Sequence, residues 1–237
     1  MMSAYFRRQV AWRTEWRSVR NRFIFRNSGS QSPPLGGIVK RIIDVAVACF
    51  ALVPFLPLFG LVAAMIFFFE GKPVLYRHPR IGYGRRPFLC LKFRTMVTDG
   101  DEILSRHLQS SPSAAQEWAE TRKLKNDPRV TPVGGVLRKL SLDELPQLIN
   151  VLRGEMSIVG PRPIVPDEVT MYGADAHYYF MTRPGLTGAW QVGGRNDERY
   201  EDRVALDRAY VENWSLWKDV IIIFKTMPVV LNSKGSY

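Results

Sequence analysis

From Val45 to Phe69 the chain runs for 25 residues without a charged side chain, and both flanks of that run are strongly basic. About 20 helical residues cross the hydrocarbon core of a bilayer, so the run is long enough to enter one. Residues 1–41 carry nine Lys or Arg against one acid, Glu15, and residues 72–99 carry seven against one, Asp99. Positive charge marks the cytoplasmic side of a membrane segment, so a straight span leaves one basic cluster on the wrong face. A hairpin that dips in and returns satisfies both flanks. Pro54 and Pro57, in VPFLP at the middle of the run, offer a break, because each removes a backbone donor and clashes with the preceding turn. The pattern predicts a re-entrant helix-break-helix. A proline-kinked transmembrane helix is the competing reading, and a buried core helix fits less well because the run is so long and uniform.

The formal charge of +11 over 237 residues points to anionic headgroups, nucleic acid or a phosphorylated substrate without choosing among them. Cys49 and Cys90 give no disulfide framework and fit a reducing compartment. The apolar run starts too far in, and is too long, for a secretory signal. Residues 1–27 mix Arg with Trp12, Trp16, Phe23 and Phe25, which reads either as a helix lying on an anionic leaflet or as a disordered basic tail. Residues 27–37, NSGSQSPPLGG, are a linker by composition. The chain thus divides into a basic segment and linker over 1–37, a membrane segment over 38–72, and a further cytosolic or interfacial domain over 73–237. In that domain Val74–Tyr76 and Phe88–Phe93 read as strands around a Gly82–Gly84 turn, and residues 101–125 as helical.

Chemistry concentrates in RKLSLDELPQLINVLRGEMSIVGPRP, residues 138–163. Leu145, Leu148, Ile149 and Leu152 recur at helical spacing, and Pro146 is tolerated only in a first turn, so a helix is expected to start near Asp143. That puts Asp143 and Glu144 at a helix N-terminus, where the dipole favours ionised carboxylates able to attack phosphorus or hold a divalent cation. The plainer reading is helix punctuation, since Ser141 with Glu144 fits a capping box. Arginines tip the balance. Arg138, Arg153 and Arg162 lie nearby, with Arg183, Gln191 and Arg195 in later Gly- and Pro-rich turns. Guanidinium groups around a carboxylate pair suit the gripping of a multiply charged phosphate ester. Trp214, Trp217 and VIIIFKTMPVVL supply aromatic and apolar surface for a membrane interface, or else a C-terminal core helix.

KRIIDVAVACFALVPFLPL, LKFRTM, NDPRVTPVGGVLRKLSLDELPQLINVLRGEMSIVGPRP, RPGLTGAWQVGGRN and NWSLWKDVIIIFKT together resemble the bacterial sugar transferases, the monotopic phosphoglycosyl transferases, over about residues 38–230. The resemblance is closest to exopolysaccharide-initiating enzymes. It implies an α+β, mostly helical monotopic fold with a proline-broken re-entrant helix, interfacial amphipathic helices and a small β element, at the cytoplasmic face of the bacterial inner membrane. It implies transfer of a hexose 1-phosphate from a UDP-hexose to undecaprenyl phosphate with release of UMP, as the first membrane step ahead of downstream glycosyltransferases. Galactose is preferred, glucose second and N-acetylated sugars third. By the same resemblance Asp143 is the nucleophile, Glu144 its partner with Mg²⁺, Arg138 and Arg162 bind phosphate, and Lys92, Arg94 and Asp219 are linked to activity. Pro57 matches the breaking proline, although Leu56 stands where a Ser is usual. A homo-oligomer is compatible with this reading.

Two rival classes remain to be weighed. A nucleic-acid-binding protein explains the charge but not the apolar run, and no RNP, helix-turn-helix or zinc-finger pattern is present. A metal-dependent phosphohydrolase would use the same carboxylates with water as acceptor. His78, His107 and His177 are scattered, and GYG at 82–84 lacks a dinucleotide-binding pattern, so it reads as a hairpin turn.

Overall fold

The computed structural model describes residues 32–121, 124–193 and 200–231. The basic segment 1–31 and Arg195 lie outside the described residues. The elements in order are α1 (Gly37–Glu70), the hairpin β1 (Leu75–Ile81) and β2 (Pro87–Phe93), α2 (Gly100–Ser110), α3 (Pro112–Thr121), α4 (Pro132–Lys139), α5 (Gln147–Arg153), β3 (Ser157–Val159), α6 (Ala176–Phe180), β4 (Gly185–Thr187), α7 (Ala189–Gly193), α8 (Tyr200–Glu212) and α9 (Leu216–Leu231). A 3₁₀ turn, Leu142–Glu144, precedes α5, and a longer 3₁₀ stretch, Pro166–Asp175, precedes α6. The small β element is two separate pairs, β1–β2 antiparallel and β3–β4 parallel.

α1 corrects the helix-break-helix expectation: it is one unbroken helix with Pro54 and Pro57 inside it. The two prolines are three residues apart and so lie on neighbouring turns of one face. Their missing bonds and clashes weaken that face together, which favours bending over ending. Only 11% of its most apolar window is buried, and Phe50, Val53 and Leu56 are exposed. The helix is long and apolar enough to cross a membrane.

Both ends of α1 nevertheless rest on the same domain. Ala48 packs into a core with Cys90, Leu148, Val151, Val159 and Tyr210, while Val62 and Ile66 pack with Phe93 and Leu137. Polar clamps hold the first end. Lys40 is 4% exposed and donates to Asp219 at 2.5 Å. Asp219 also accepts from Tyr210 Oη at 2.7 Å and Trp214 Nε1 at 3.2 Å. Asp44 accepts from Ser157 Oγ and the Ile158 N–H, and Arg41 donates to the Val151 and Leu152 carbonyls that end α5. At the far end Arg94 donates to the Glu70 and Gly71 carbonyls at 2.7 and 2.9 Å.

α9 is not a buried core helix. Ile222 and Asp219 face inward, whereas Trp217, Val220, Ile221, Phe224 and Met227 are exposed. The helix presents an apolar stripe of the kind that lies at a lipid interface.

Removing one partner of a buried ion pair leaves the other charge stranded and costs about 3–5 kcal/mol, whereas apolar replacement of both is far milder. Asp219→Asn is expected to lower the thermal midpoint in detergent by several degrees, and Lys40→Met with Asp219→Leu to recover most of that loss.

Candidate active site

The β1–β2 register pairs Tyr76 with Lys92, His78 with Cys90 and Arg80 with Phe88. Side chains alternate along a strand, so Arg80, Cys90 and Lys92 share one face. That face forms one wall of a pocket. Across it stand Glu144 and Gln147, with Arg162, Gly185 and Gln191 closing the remaining side. Asn150, fully buried, joins the two walls: its Oδ1 accepts the Leu91 N–H at 2.9 Å and its Nδ2 donates to the Leu89 carbonyl at 2.8 Å. Its side chain acts as a third strand along the free edge of β2 and sets α5 against Lys92.

Arg162 is projected from a turn that packs backbone to backbone. A Cβ on Gly185 would lie 2.2 Å from the Gly160 nitrogen, and one on Gly160 would lie 2.5 Å from the Arg183 carbonyl. Only glycine fits at either position. The Gly185 N–H donates to Pro161 O at 2.8 Å, tying that turn to the start of β4. Arg162 then lies over the Trp190 ring, 5.5 Å from its centroid.

The carboxylate pair is built differently from the sequence expectation. α5 starts at Gln147, not near Asp143, and Pro146 is its N-cap. Asp143 and Glu144 occupy the 3₁₀ turn instead. Ser141 precedes it in the left-handed region at φ 55° and makes no side-chain cap bond, so the capping box is absent. Lys92 Nζ is 2.5 Å from Glu144 Oε1 and 3.8 Å from Asp143 Oδ2. Burial raises the Asp143 carboxyl above the usual carboxylate range, Lys92 and Arg138 pull it back, and Glu144 pushes it up. The expected lowering by a helix dipole is therefore outweighed by desolvation and a like charge. His78 is driven the other way, down to about 3, by burial and by Arg80, Lys92 and Arg162. It is neutral at any physiological pH.

The other named residues fall in distinct places. Arg138 donates from Nε to Thr95 Oγ1 at 2.9 Å beside Asp143 and does not line the pocket. Arg94 is turned to the end of α1. Arg183 donates to the Gly154 carbonyl at 2.9 Å, away from the pocket. Asp219 clamps Lys40, and Ser215 caps the start of α9, its Oγ accepting the Lys218 N–H. Pro57 lies in the exposed middle of α1. Arg80 was not singled out from the sequence. Its alternation with Lys92 across the Gly82–Gly84 turn was the signal, and using it requires the hairpin register.

The family model for bacterial sugar transferases matches residues 35–233. The chain belongs to the bacterial sugar transferase family. It is similar to the exopolysaccharide production protein ExoY of Rhizobium meliloti, 54% identical over 93% of this chain and 98% of that one. It is also similar to the UDP-galactose-lipid carrier transferase of Erwinia amylovora, 49% identical over 90% of this chain and 45% of that one. The undecaprenyl-phosphate galactose phosphotransferase of Salmonella typhimurium is 54% identical over 71% of this chain and 35% of its own length.

In this transferase Lys92 is the group that holds the Asp143 carboxyl down against burial. Lys92→Met removes that cation, so Asp143 keeps its proton to higher pH. The acidic limb of sugar-phosphate transfer is expected to move to higher pH in Lys92→Met, measured as kcat/KM from about pH 5 to 9.

Proposed function

We propose that this transferase moves a hexose 1-phosphate, galactose 1-phosphate in the first instance, from a UDP-hexose to undecaprenyl phosphate at the cytoplasmic face of the inner membrane, as an opening step of exopolysaccharide synthesis. The observation that carries the reading is the carboxylate pair bridged by Lys92, set beside a pocket walled by Arg80 and Arg162. The names of the relatives from Erwinia amylovora and Salmonella typhimurium support galactose and a lipid carrier.

The chemistry is nucleophilic displacement at phosphorus. An Asp143 carboxylate oxygen attacks the β-phosphorus of the UDP-hexose. The bond from that phosphorus to the bridging oxygen breaks, and UMP departs with the electron pair. An oxygen of the lipid phosphate then attacks the same phosphorus, the aspartyl–phosphorus bond breaks, and the carboxylate is restored with the lipid diphosphosugar as product. Arg80 and Arg162 offset charge on the phosphate oxygens without protonating the nucleophile, because guanidinium stays charged and does not donate its proton. Lys92 works against the burial that favours the protonated Asp143 carboxyl, and so favours the ionised nucleophile.

Among the described residues no group of three or more Asp, Glu, His and Cys converges. Glu144 lines the arginine-walled pocket and Asp143 precedes it in the same 3₁₀ turn, a pair of carboxylates that matches the way Mg²⁺ is held when substrate phosphates complete its shell. Bound there, Mg²⁺ would supply Lewis-acid stabilisation of the leaving phosphate.

Membrane attachment by α1 and the stripe on α9 brings the site to headgroup depth, where a soluble donor and a lipid-held phosphate meet. A bend at Pro54–Pro57 lets α1 dip into one leaflet and return. Radiolabelled UDP-galactose carrying β-³²P is expected to label the wild-type protein but not Asp143→Asn, with sustained UMP release only when polyprenyl phosphate is added. Equal labelling of the two proteins contradicts the aspartyl intermediate, and continued turnover without lipid shows a hydrolase. The same assay with UDP-glucose decides the sugar.

A further inference from the structure

Behind the pocket lies a second layer of charge that the displacement chemistry does not use. Arg203, on α8, is 7% exposed. Its guanidinium carbon sits 4.9 Å from the centroid of Trp190, the same ring that carries Arg162 at 5.5 Å. Its Nη1 is 3.9 Å from Glu168 Oε1, while Arg80 Nη1 is 3.6 Å from Glu168 Oε2. Glu168 also accepts the Val165 N–H at 2.8 Å, which fixes it at the start of its 3₁₀ stretch. The buried acid near Arg203 is Asp207, and Tyr172 donates to its Oδ2 at 2.7 Å. Arg203 Nε and Nη2 have no hydrogen-bond partner among the described residues.

A buried cation that shares its counter-ion and leaves its Nε and Nη2 donors unmet is expensive. This one touches both pocket arginines through one intermediary each, Trp190 toward Arg162 and Glu168 toward Arg80. We propose that Arg203 is a positioning residue for the phosphate pocket: it shares Glu168 with Arg80, so that Glu168 does not neutralise Arg80, and it braces the indole on which Arg162 lies. The inference rests on the reading that Arg80 and Arg162 bind the diphosphate of a nucleotide sugar.

The electrostatic half has a sign that packing alone does not produce. Without Arg203, Glu168 is drawn wholly to Arg80, and the pocket loses positive potential. Without Glu168 as well, Arg80 is released again. Glutamine at 168 keeps an acceptor for the Val165 N–H, so the charge changes and the cap does not. The effect belongs to donor binding, so it falls on KM for the UDP-hexose.

The experiment is steady-state kinetics on the full-length membrane protein with UDP-galactose and polyprenyl phosphate, for Arg203→Met, Glu168→Gln, the double variant and Arg162→Ala. Arg203→Met is expected to raise KM for UDP-galactose about tenfold with kcat changed less than about threefold, and the double variant to return KM most of the way. Glu168→Gln alone is expected to lower KM by about twofold or more, and this arm stands even where Arg203→Met does not fold. A folded Arg203→Met with the wild-type KM, a double variant as weak as the single one, or Glu168→Gln with an unchanged or raised KM overturns the proposal. Arg162→Ala separates the two layers: an unchanged KM there removes the phosphate pocket itself, whereas a raised KM there with no effect of Arg203→Met removes the positioning role alone.

Discussion

Buried polar clamps at the two ends of α1 set the terms for everything else. An apolar helix of 34 residues is about 50 Å long if straight, well beyond the roughly 30 Å of a hydrocarbon core. Lys40 on Asp219 and Asp44 on the β3 backbone hold its first half to the domain, and Arg94 on the Glu70 and Gly71 carbonyls holds its last turn. The exposed apolar middle is thus suspended between two points of one folded unit. The residues that make these clamps are charged yet buried, so each end is specified by electrostatics that tolerates no slip along the helix.

The same domain puts two like charges side by side and then manages them. Asp143 and Glu144 share a turn, and burial works against both being ionised. Lys92, reaching from the face of β2 that also carries Cys90, supplies the compensating cation at 2.5 Å from Glu144. Burial raises the Cys90 thiol to about 11, which leaves it protonated and unreactive beside the pocket. The arginine wall is likewise a product of elementary geometry: strand alternation brings Arg80 to Lys92, and a glycine-on-glycine contact between the 160 and 185 turns brings Arg162 to meet them.

Much of this was legible in the order of residues. The apolar run and its basic flanks gave the bounds of α1 within a residue or two, though not its continuity through Pro54 and Pro57, the Gly82–Gly84 turn gave the β1–β2 hairpin, and SLDEL followed by GPRP marked the carboxylates and Arg162. What the sequence did not disclose depends on contacts distant along the chain. Arg94 and Arg162 look equally apt as phosphate ligands, and only the position of Glu70 turns Arg94 away. Asp219 is linked to activity by the resemblance alone, and its partner shows only when Lys40, 179 residues earlier, is seen beside it. The helix start near Asp143 failed because Ser141 adopts a left-handed conformation, which interposes a 3₁₀ turn before Gln147. The parallel β3–β4 pair is three residues per strand, too short to leave a periodicity.

A soluble donor and a lipid-held phosphate meet at one carboxylate only if α1 returns to the side from which it enters. In a Cys49→Ala background, Ser32→Cys and Lys72→Cys place one thiol just before α1 and one just after it, both at exposed positions. Labelling of sealed inverted membrane vesicles with a membrane-impermeant maleimide is expected to modify both to the same extent, as does labelling after detergent lysis. Modification of one position only until the membrane is dissolved would show that α1 crosses the bilayer and would contradict the account.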